Sequence, residues 1–301
     1  MNKKLIYFIS NRSGIGDRMM DIILMYTFAN CFNADLYLNW SDSEKMLMGE
    51  KTDINSRLRY DKTPYRAEDF KFKNFIKYIE LPNNINFVSE FKIIQLTKIK
   101  DTIKFYDYLG MQYSPQQFLD KYQPKLSLKE KKMFYDNLMI NFKLIKFKNI
   151  SSDIINIFAN NKIIVIHLRR SDKVVVNPDK AAISVNELEN LDSITEKFCN
   201  YFISKGYNNI LFVSDETQIK LKYYQKFKTK CNAIIINVEP VLQTYIDLYC
   251  LANASIILLS QKFSAFSLFA SCINQTDLYY IYSSPILEAY NHTKHISTLN
   301  L

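Results

Sequence analysis

A cluster of charged residues follows an apolar run in the second half of the 301-residue sequence. The stretch IIVIHLRRSDK covers residues 163–173 and begins with four apolar residues. After them come His167, Arg169, Arg170, Asp172 and Lys173. Parallel sheets bury continuous apolar strands and bind ligands outside the carboxyl ends of those strands. An arginine guanidinium presents a planar fork of donors that suits a phosphate. The stretch therefore predicts either an anion site at a strand end or a structural Arg–Asp cluster.

Two of the five glycines of the chain lie in one short segment near the amino terminus. The segment SGIGDR contains Gly14, Gly16 and Asp17, and it separates an apolar run from a helical pattern. Glycine at such a place lets backbone amides approach a ligand and adopt unusual dihedral angles. The residue three after Gly16 is Met19, so the dinucleotide fingerprint GxGxxG is not present. The segment predicts either a ligand-contacting loop or an ordinary tight turn.

Two later strand ends and one helix carry weaker signals. FVSDE places Asp215 after an apolar run, where Ser214 or Asp215 also suits the N-cap of the next helix. SQKFSAFS places Ser264 among hydroxyl residues that lead into a helix, whose N-terminus can hold a phosphate. Asp247 lies among apolar residues of a helical segment and, taken alone, is typical of a solvated helix position.

The alternation of apolar runs and amphipathic segments predicts an α/β protein. Strands are expected at residues 5–10, 34–40, 162–168, 208–215, 232–238, 255–260 and, as the last one, 277–282. Short apolar strands separated by helices argue for parallel, doubly wound sheets. We therefore expect two Rossmann-like α/β domains facing a cleft, residues 1–150 with an irregular middle segment and residues 151–301. No internal repeat is visible in the sequence.

Composition excludes several classes of protein. The net charge is +9, but the lysines are spread over many segments, so a nucleic-acid-binding arm is not predicted. No apolar stretch approaches the length of a membrane-spanning helix. The five cysteines form no CxxC pair and no Cys/His ligand spacing, which is typical of reduced thiols in the cytoplasm. No DxD triplet is present, so a metal-bridged nucleotide-sugar site of the usual type lacks its ligands, and the absence of GxxxxGK(S/T) excludes P-loop chemistry.

Three segments together resemble the metal-independent fucosyltransferases of the α-1,6 type, which include the core-fucosylating and the rhizobial nodulation enzymes. HLRRSDK resembles the family's H-V-R-R-T-D-K. GIGDRMMDIILMYTFANCFNADLYLNW is similar to the start of the nodulation enzymes at G-F-G-D-R-L, and DLYCLANASIILLSQKFSAFSLFA resembles their later segment with a serine at a strand end. The similarity covers residues 1–40 and most of residues 160–275.

The resemblance implies a GT-B-like fold in which residues 151–301 bind a GDP-sugar donor and residues 1–150 face the acceptor. By motif position, Arg169 would bind the β-phosphate, and Arg170 would support the site and the acceptor side. His167 would lie near the nucleoside. Gly14 and Gly16 would approach the pyrophosphate from the first domain, with Asp17 of the same motif as a further donor-binding candidate.

Three more donor-binding residues follow from the same resemblance. Asp247 would read the guanine edge, Ser264 would donate a hydrogen bond to a phosphate, and Asp215 would lie near the nucleotide. No cofactor is implied, because the donor, GDP-fucose or a related GDP-sugar, is itself a substrate. No metal is implied, because the family that the chain resembles is metal-independent.

One position departs from the family pattern. The core-fucosylating enzymes carry a glutamate four residues after the HxRRxDK segment, and this chain has Asn177 there. Asp172 and Asp179 are the nearest carboxylates, and Glu187 is more distant. We therefore name Asp172 and Asp179 as candidates for the catalytic base, and Lys173 as a further catalytic candidate beside the two arginines.

These observations predict an inverting glycosyltransferase that moves a sugar from a GDP-sugar to a hydroxyl group of a glycan or glycolipid. L-fucose is the sugar that the resemblance favours. The alternatives are a transferase for another GDP-deoxyhexose or GDP-heptose, and a GDP-sugar-binding module without catalysis, which Asn177 favours. The expected location is the cytoplasm. Peripheral contact with the inner face of the membrane stays open, because a net charge of +9 suits an anionic surface.

Overall fold

The computed structural model describes residues 3–9, 14–40, 71–88, 102–106, 115–159, 161–170, 174–175, 183–261, 264–281 and 296–298. These residues divide into two compact units: unit 1 runs up to Lys148 and unit 2 begins at Asn149. Each unit is built on a parallel sheet with helices between its strands.

Unit 1 carries a sheet in the order β4-β2-β1-β5. Its elements are β1 (Lys3–Ile9), α1 (Ile15–Cys31), β2 (Ala34–Trp40), α2 (Phe72–Tyr78), β3 (Ile79–Glu80), β4 (Ile85–Phe87), β5 (Thr102–Tyr106), α3 (Pro115–Tyr122), α4 (Leu128–Phe142) and β6 (Lys146–Phe147). All neighbours in the sheet run parallel. Counted along the chain, the order is therefore 3-2-1-4. The short strands β3 and β6 form a separate antiparallel pair.

Helix α1 is buried along nearly its whole length because its sequence is apolar on most sides. It lies against α4, where the side-chain amide of Asn141 donates to Thr27 Oγ1 at 2.9 Å. A capping box begins α4, since the Ser127 amide donates to Glu130 Oε2 at 2.8 Å and Ser127 Oγ accepts from the Glu130 amide.

Unit 2 carries a larger sheet in the order β11-β10-β7-β12-β13-β14. Its elements are α5 (Ser152–Ala159), β7 (Ile163–Leu168), β8 (Val174–Val175), β9 (Ile183–Ser184), α6 (Val185–Ser204), β10 (Asn209–Ser214), α7 (Thr217–Phe227), β11 (Asn232–Ile234), α8 (Pro240–Ala252), β12 (Ile256–Leu259), α9 (Ala265–Asn274), β13 (Asp277–Tyr280) and β14 (Ile296–Thr298). Every neighbouring pair is parallel. Counted along the chain, the order is 3-2-1-4-5-6, which is the Rossmann order.

Strand β7 is the first strand of this sheet along the chain, and all six of its residues are buried. Successive side chains of a strand point to opposite faces of the sheet. Ile164, Ile166 and Leu168 belong to the core cluster that also contains Phe198 of α6 and Tyr223 of α7. His167 therefore points to the other face, where its ring contacts α9.

The fold confirms the prediction of two α/β units on parallel sheets and corrects some details. Residues 277–282 do not form the last strand, because β14 pairs with β13 in the register Leu278↔Ile296. Strand β11 spans three residues, whereas a longer strand was expected. The N-cap of α7 is Glu216, and Ser214 Oγ accepts a hydrogen bond from the Glu216 amide at 3.1 Å. Among the described helices, none is both long and apolar enough to cross a membrane.

Candidate functional site

The centre of the candidate site is the carboxyl edge of the sheet in unit 2, between β7 and β12. These strands are neighbours, but the chain continues from β7 toward β10 and from β12 toward β13, on opposite sides. Open parallel sheets bind ligands at such a reversal, outside the carboxyl ends of the strands. The two ends are tied together, because the Ser260 amide donates to the His167 carbonyl at 3.1 Å.

Arg169 is the first residue after β7 and lies at this edge. Its side chain is 23% exposed, and its Nε lies 4.0 Å from Oδ2 of Asp215, which follows β10. The other carboxylate oxygen of Asp215 accepts from the Arg170 amide at 3.5 Å. A guanidinium carries several N–H donors in a fixed fork, so an ion pair through Nε is compatible with phosphate binding through the terminal nitrogens.

Arg170 has a different environment from its neighbour, because its side chain is only 4% exposed. Its guanidinium donates to the Ser260 carbonyl, to Ser260 Oγ at 2.9 Å and to Asp192 Oδ1 at 3.0 Å. The two adjacent arginines therefore point in different directions. Arg170 holds protein groups together, and Arg169 is the one that remains partly open to solvent.

Asp192 of α6 receives three donors. Besides Arg170, Tyr223 OH donates to Oδ1 and Lys222 Nζ donates to Oδ2, each at 2.8 Å. Burial by itself raises the pKa of the Asp192 carboxyl, but the hydrogen bonds from Lys222, Tyr223 and Arg170 outweigh it and hold the pKa below its ordinary value. The stability that this carboxylate contributes is therefore present above the unfolded-state pKa of about 4 and is lost as the pH falls through the lowered pKa.

The N-terminus of α9 lies at the same edge, beyond the end of β12. Ser264 is the N-cap, and its Oγ accepts from the Ser267 amide at 3.4 Å. Ser267 Oγ in turn lies 2.6 Å from His167 Nδ1, in a buried hydrogen bond whose donor depends on the tautomer. A helix N-terminus carries a positive partial charge and favours anions. The edge thus combines an arginine with a helix dipole.

Asp247 lies on α8, in the same unit, and its carboxylate is held by Gln243. Gln243 Oε1 accepts from the Val238 amide at 3.0 Å, and its Nε2 donates to Asp247 Oδ1 at 2.6 Å. Accepting at one end orients the amide group so that its donor faces the carboxylate. Burial, followed by the charge of Asp247, raises the pKa of the nearby Cys250 thiol well above its usual range.

Gly14, Gly16 and Asp17 lie at the start of α1, in unit 1. Gly14 is the N-cap with φ −65° and ψ 168°, and its amide donates to Asp17 Oδ2 at 3.2 Å. A Cβ at Gly14 would lie 3.3 Å from that carboxylate oxygen, so a larger residue there would require the Asp17 side chain to shift by a few tenths of an ångström. Among the glycines that the structure describes, Gly206 alone has a positive φ. The expectation of unusual dihedral angles at Gly14 and Gly16 is therefore wrong.

The structure brings together five of the predicted site residues at the edge between β7 and β12, four of them predicted to bind the donor and Arg170 predicted to support the site. They are His167, Arg169, Arg170, Asp215 and Ser264. Asp172, Lys173, Asn177 and Asp179 lie outside the described residues. Glu187, the distant alternative for the base, accepts from the amide and the hydroxyl of Ser184 in the capping box of α6.

The sequence did not single out Asp192, Ser260, Ser267 or Gln243. Ser260 and Ser267 belong to the hydroxyl-rich segment SQKFSAFS, whose composition points to them. Asp192 and Gln243 resemble ordinary helical polar residues, and nothing local distinguishes them. Within the described ranges, no group of three or more His, Cys, Asp or Glu side chains could hold a metal ion.

No family model and no curated protein matches the chain. Solved structures do match. A NodZ alpha-1,6-fucosyltransferase soaked with GDP-fucose is 13% identical, with a TM-score of 0.49 over 93% of this chain and 95% of that chain. FUT1 from Arabidopsis thaliana in complex with GDP is 12% identical, with a TM-score of 0.48 over 94% and 71%. POFUT1 in complex with GDP is 12% identical, with a TM-score of 0.47 over 93% and 98%. The first of these names is that of an alpha-1,6-fucosyltransferase.

Proposed function

We propose that the protein is a glycosyltransferase that moves a sugar, L-fucose by the motif resemblance, from a GDP-sugar to a glycan hydroxyl group. One observation carries the proposal. Arg169 and the N-terminus of α9 follow the two strands that flank the reversal point of a Rossmann-ordered sheet. A guanidinium and a helix N-terminus at that point form a place for the diphosphate of a nucleotide.

The chemistry of sugar transfer explains why these groups are needed. The bond between the anomeric carbon and the β-phosphate oxygen breaks, and its electron pair leaves with GDP. Positive charge develops on the sugar, while negative charge develops on the diphosphate. Fixed donors aimed at the leaving oxygen lower the barrier. In the proposed transfer, which needs no metal ion, Arg169 and the backbone amides at the N-terminus of α9 supply such donors.

In the proposed inverting transfer, the acceptor hydroxyl attacks the anomeric carbon from the face opposite the diphosphate. The hydroxyl proton must pass to a base as the new bond forms. Asp172 and Asp179 are proposed for this step, with Lys173 near the diphosphate. Asn177 occupies the place of the glutamate in the core-fucosylating enzymes.

The proposed division of labour follows the two units. Residues 151–301 bind the donor, with Asp247 accepting hydrogen bonds from the guanine edge and His167 near the nucleoside. Residues 1–150 are proposed to bind the glycan or glycolipid acceptor, and Gly14, Gly16 and Asp17 are proposed as further donor-binding residues. The proposed location is the cytoplasm. Co-sedimentation with anionic vesicles, but not with neutral ones, would support peripheral membrane contact, and equal sedimentation would contradict it.

Thermal denaturation with different nucleotides tests the donor class. A ligand that binds the folded chain at 100 times its dissociation constant stabilises it by about 2.7 kcal/mol. We expect GDP and GDP-fucose to raise the melting temperature, and UDP and NAD to leave it unchanged. Release of GDP from GDP-fucose should continue in EDTA. An unchanged melting temperature in the presence of GDP would contradict the proposal. A requirement of added Mn²⁺ for the release of GDP from GDP-fucose would contradict it as well.

A GDP-sugar-binding module without catalysis is the second candidate, and Asn177 favours it. The same assays separate the two. A GDP-dependent melting shift without hydrolysis of GDP-fucose, and without transfer to any of a panel of glycans, would favour the module over the enzyme.

A further inference from the structure

Asp192 joins three elements of unit 2 at the carboxyl edge of the sheet. Its Oδ1 accepts from Arg170, which follows β7, and from Tyr223 of α7. Its Oδ2 accepts from Lys222, also of α7. The side chain is 16% exposed, so the carboxylate is largely withdrawn from water. A charge in that position is stabilised by its partners, and it orients them in return.

Arg170 extends this connection to the end of β12. It donates to both the carbonyl and the hydroxyl of Ser260. Thr195 Oγ1 lies 2.7 Å from Ser260 Oγ and 2.7 Å from the Leu191 carbonyl. Since the carbonyl can only accept, Thr195 donates to it, and Ser260 donates to Thr195. The hydrogen bonds then run in one direction, from Arg170 to Ser260, from Ser260 to Thr195 and from Thr195 to the Leu191 carbonyl. Each of the two hydroxyl groups therefore both accepts and donates one hydrogen bond.

Helices α6 and α7 offer a matched comparison for Asp192. Two pairs join them, each 30 residues apart: Asp192–Lys222 and Glu196–Lys226. A third pair at the same spacing, Asn200–Lys230, reaches the turn after α7. The members recur every four residues, so the pairs lie along one line. The first pair alone includes a residue bonded to Arg170, among the contacts of the described residues. The second is an ion pair between the same helices, one turn farther along.

We propose that Asp192 is a positioning residue of the donor site, which acts through Arg170 to hold the ends of β7 and β12 at the separation that one diphosphate requires. The identity of the diphosphate rests on the proposed function. Arg169 is adjacent to Arg170, and Ser264 follows Ser260 by four residues. The brace of Asp192, Arg170 and Ser260 therefore sets the position of the guanidinium relative to the N-terminus of α9.

The test compares Asp192→Asn with Glu196→Gln in the full chain, using calorimetric titration with GDP. Removing the charge of Asp192 weakens a charge-assisted hydrogen bond to Arg170, so we expect the GDP dissociation constant to rise about tenfold. Glu196→Gln removes an ion pair of the same helices without touching Arg170, and it should stay within about twofold of the wild type. Equal GDP affinity in the two variants would overturn the proposal.

Hydrogen exchange without ligand reads the brace itself. In Asp192→Asn, peptides covering the ends of β7 and β12 should exchange faster than in the wild type, and this increase should exceed the increase for peptides covering β13. In Glu196→Gln, the two sets of peptides should change equally. Unchanged local exchange would overturn the brace. If the wild-type chain binds no GDP, the proposed function fails, whereas local exchange still decides the brace.

A second variant covers the case in which Asp192→Asn does not fold. Ser260→Ala removes the hydroxyl link and leaves the ion pair of Arg170 with Asp192. We expect the GDP dissociation constant to rise about fivefold, because one hydrogen bond of the brace is lost. A value within about twofold of the wild type, in a folded variant, would count against the brace.

Discussion

The two sheets share the strand order 3-2-1-4, yet the charged residues near the end of their first strands are used differently. In unit 1, Arg18 is 1% exposed and its guanidinium carbon lies 4.7 Å from the centroid of the Trp40 ring. Asp21 is also buried and accepts from Tyr7 OH at 2.5 Å. In unit 2, Arg169 stays partly exposed at the reversal point of the sheet. The charged side chains are therefore buried in one unit and partly exposed in the other.

Burial decides between the two uses. A buried charge is tolerated when protein groups satisfy it, and removing one partner leaves the other uncompensated. A partly exposed charge keeps its hydration until a ligand replaces it. Substitutions of the buried Tyr7–Asp21 pair in unit 1 should therefore act on the stability of the fold, and substitutions at the reversal point in unit 2 should act on GDP affinity.

The largest expected effect on GDP affinity is that of Arg169→Ala. Loss of a charge-assisted contact to the diphosphate should raise the GDP dissociation constant about 100-fold and abolish transfer, with a melting temperature close to that of the wild type. Arg169→Lys, as the control, keeps the charge but not the planar fork and should recover part of the affinity. Unchanged GDP binding in Arg169→Ala would remove this residue from the site and erase the contrast between the units.

A smaller effect is expected for Asp247→Asn. A carboxylate that accepts from the guanine edge loses this ability in part when it becomes an amide, so the GDP dissociation constant should rise about tenfold. Inosine diphosphate, which lacks the exocyclic amine of guanine, should lose less affinity than GDP. Glu239→Gln, an exposed acid at the N-cap of the same helix, is the matched control and should leave both affinities unchanged. Equal losses for both nucleotides would contradict a role in reading the base.

The smallest effect on GDP affinity is expected at the Tyr7–Asp21 pair of unit 1. Tyr7→Phe leaves the buried Asp21 without its hydroxyl donor and should lower the free energy of unfolding by about 1–3 kcal/mol, measured by urea denaturation. The GDP dissociation constant should stay that of the wild type. A clear loss of GDP affinity, with little change in stability, would show that the Tyr7–Asp21 pair belongs to the donor site and would reverse the comparison.

Local patterns in the sequence predicted most strands of the two sheets and the arginines that follow β7. The apolar run at β7 and the arginines behind it were visible because strand and ligand groups are adjacent in the chain, and the capping box of α4 lies within four residues. The contacts of Arg170 were not visible, because they join residues 22 and 90 positions away. Strand β14 was missed because a three-residue strand carries little pattern, and its place comes from pairing with β13.

The position of β7 between β10 and β12 has a consequence for the order in which the protein is made. Domains fold as they emerge from the ribosome, and contacts distant in the chain form late. Strands β7, β10 and β11 can pair before β12 has been synthesised, whereas Arg170 meets Ser260 only 90 residues after its own synthesis. Half of the sheet in unit 2 therefore exists before the crevice does. The proposed nucleotide site is therefore completed late in the synthesis of the chain.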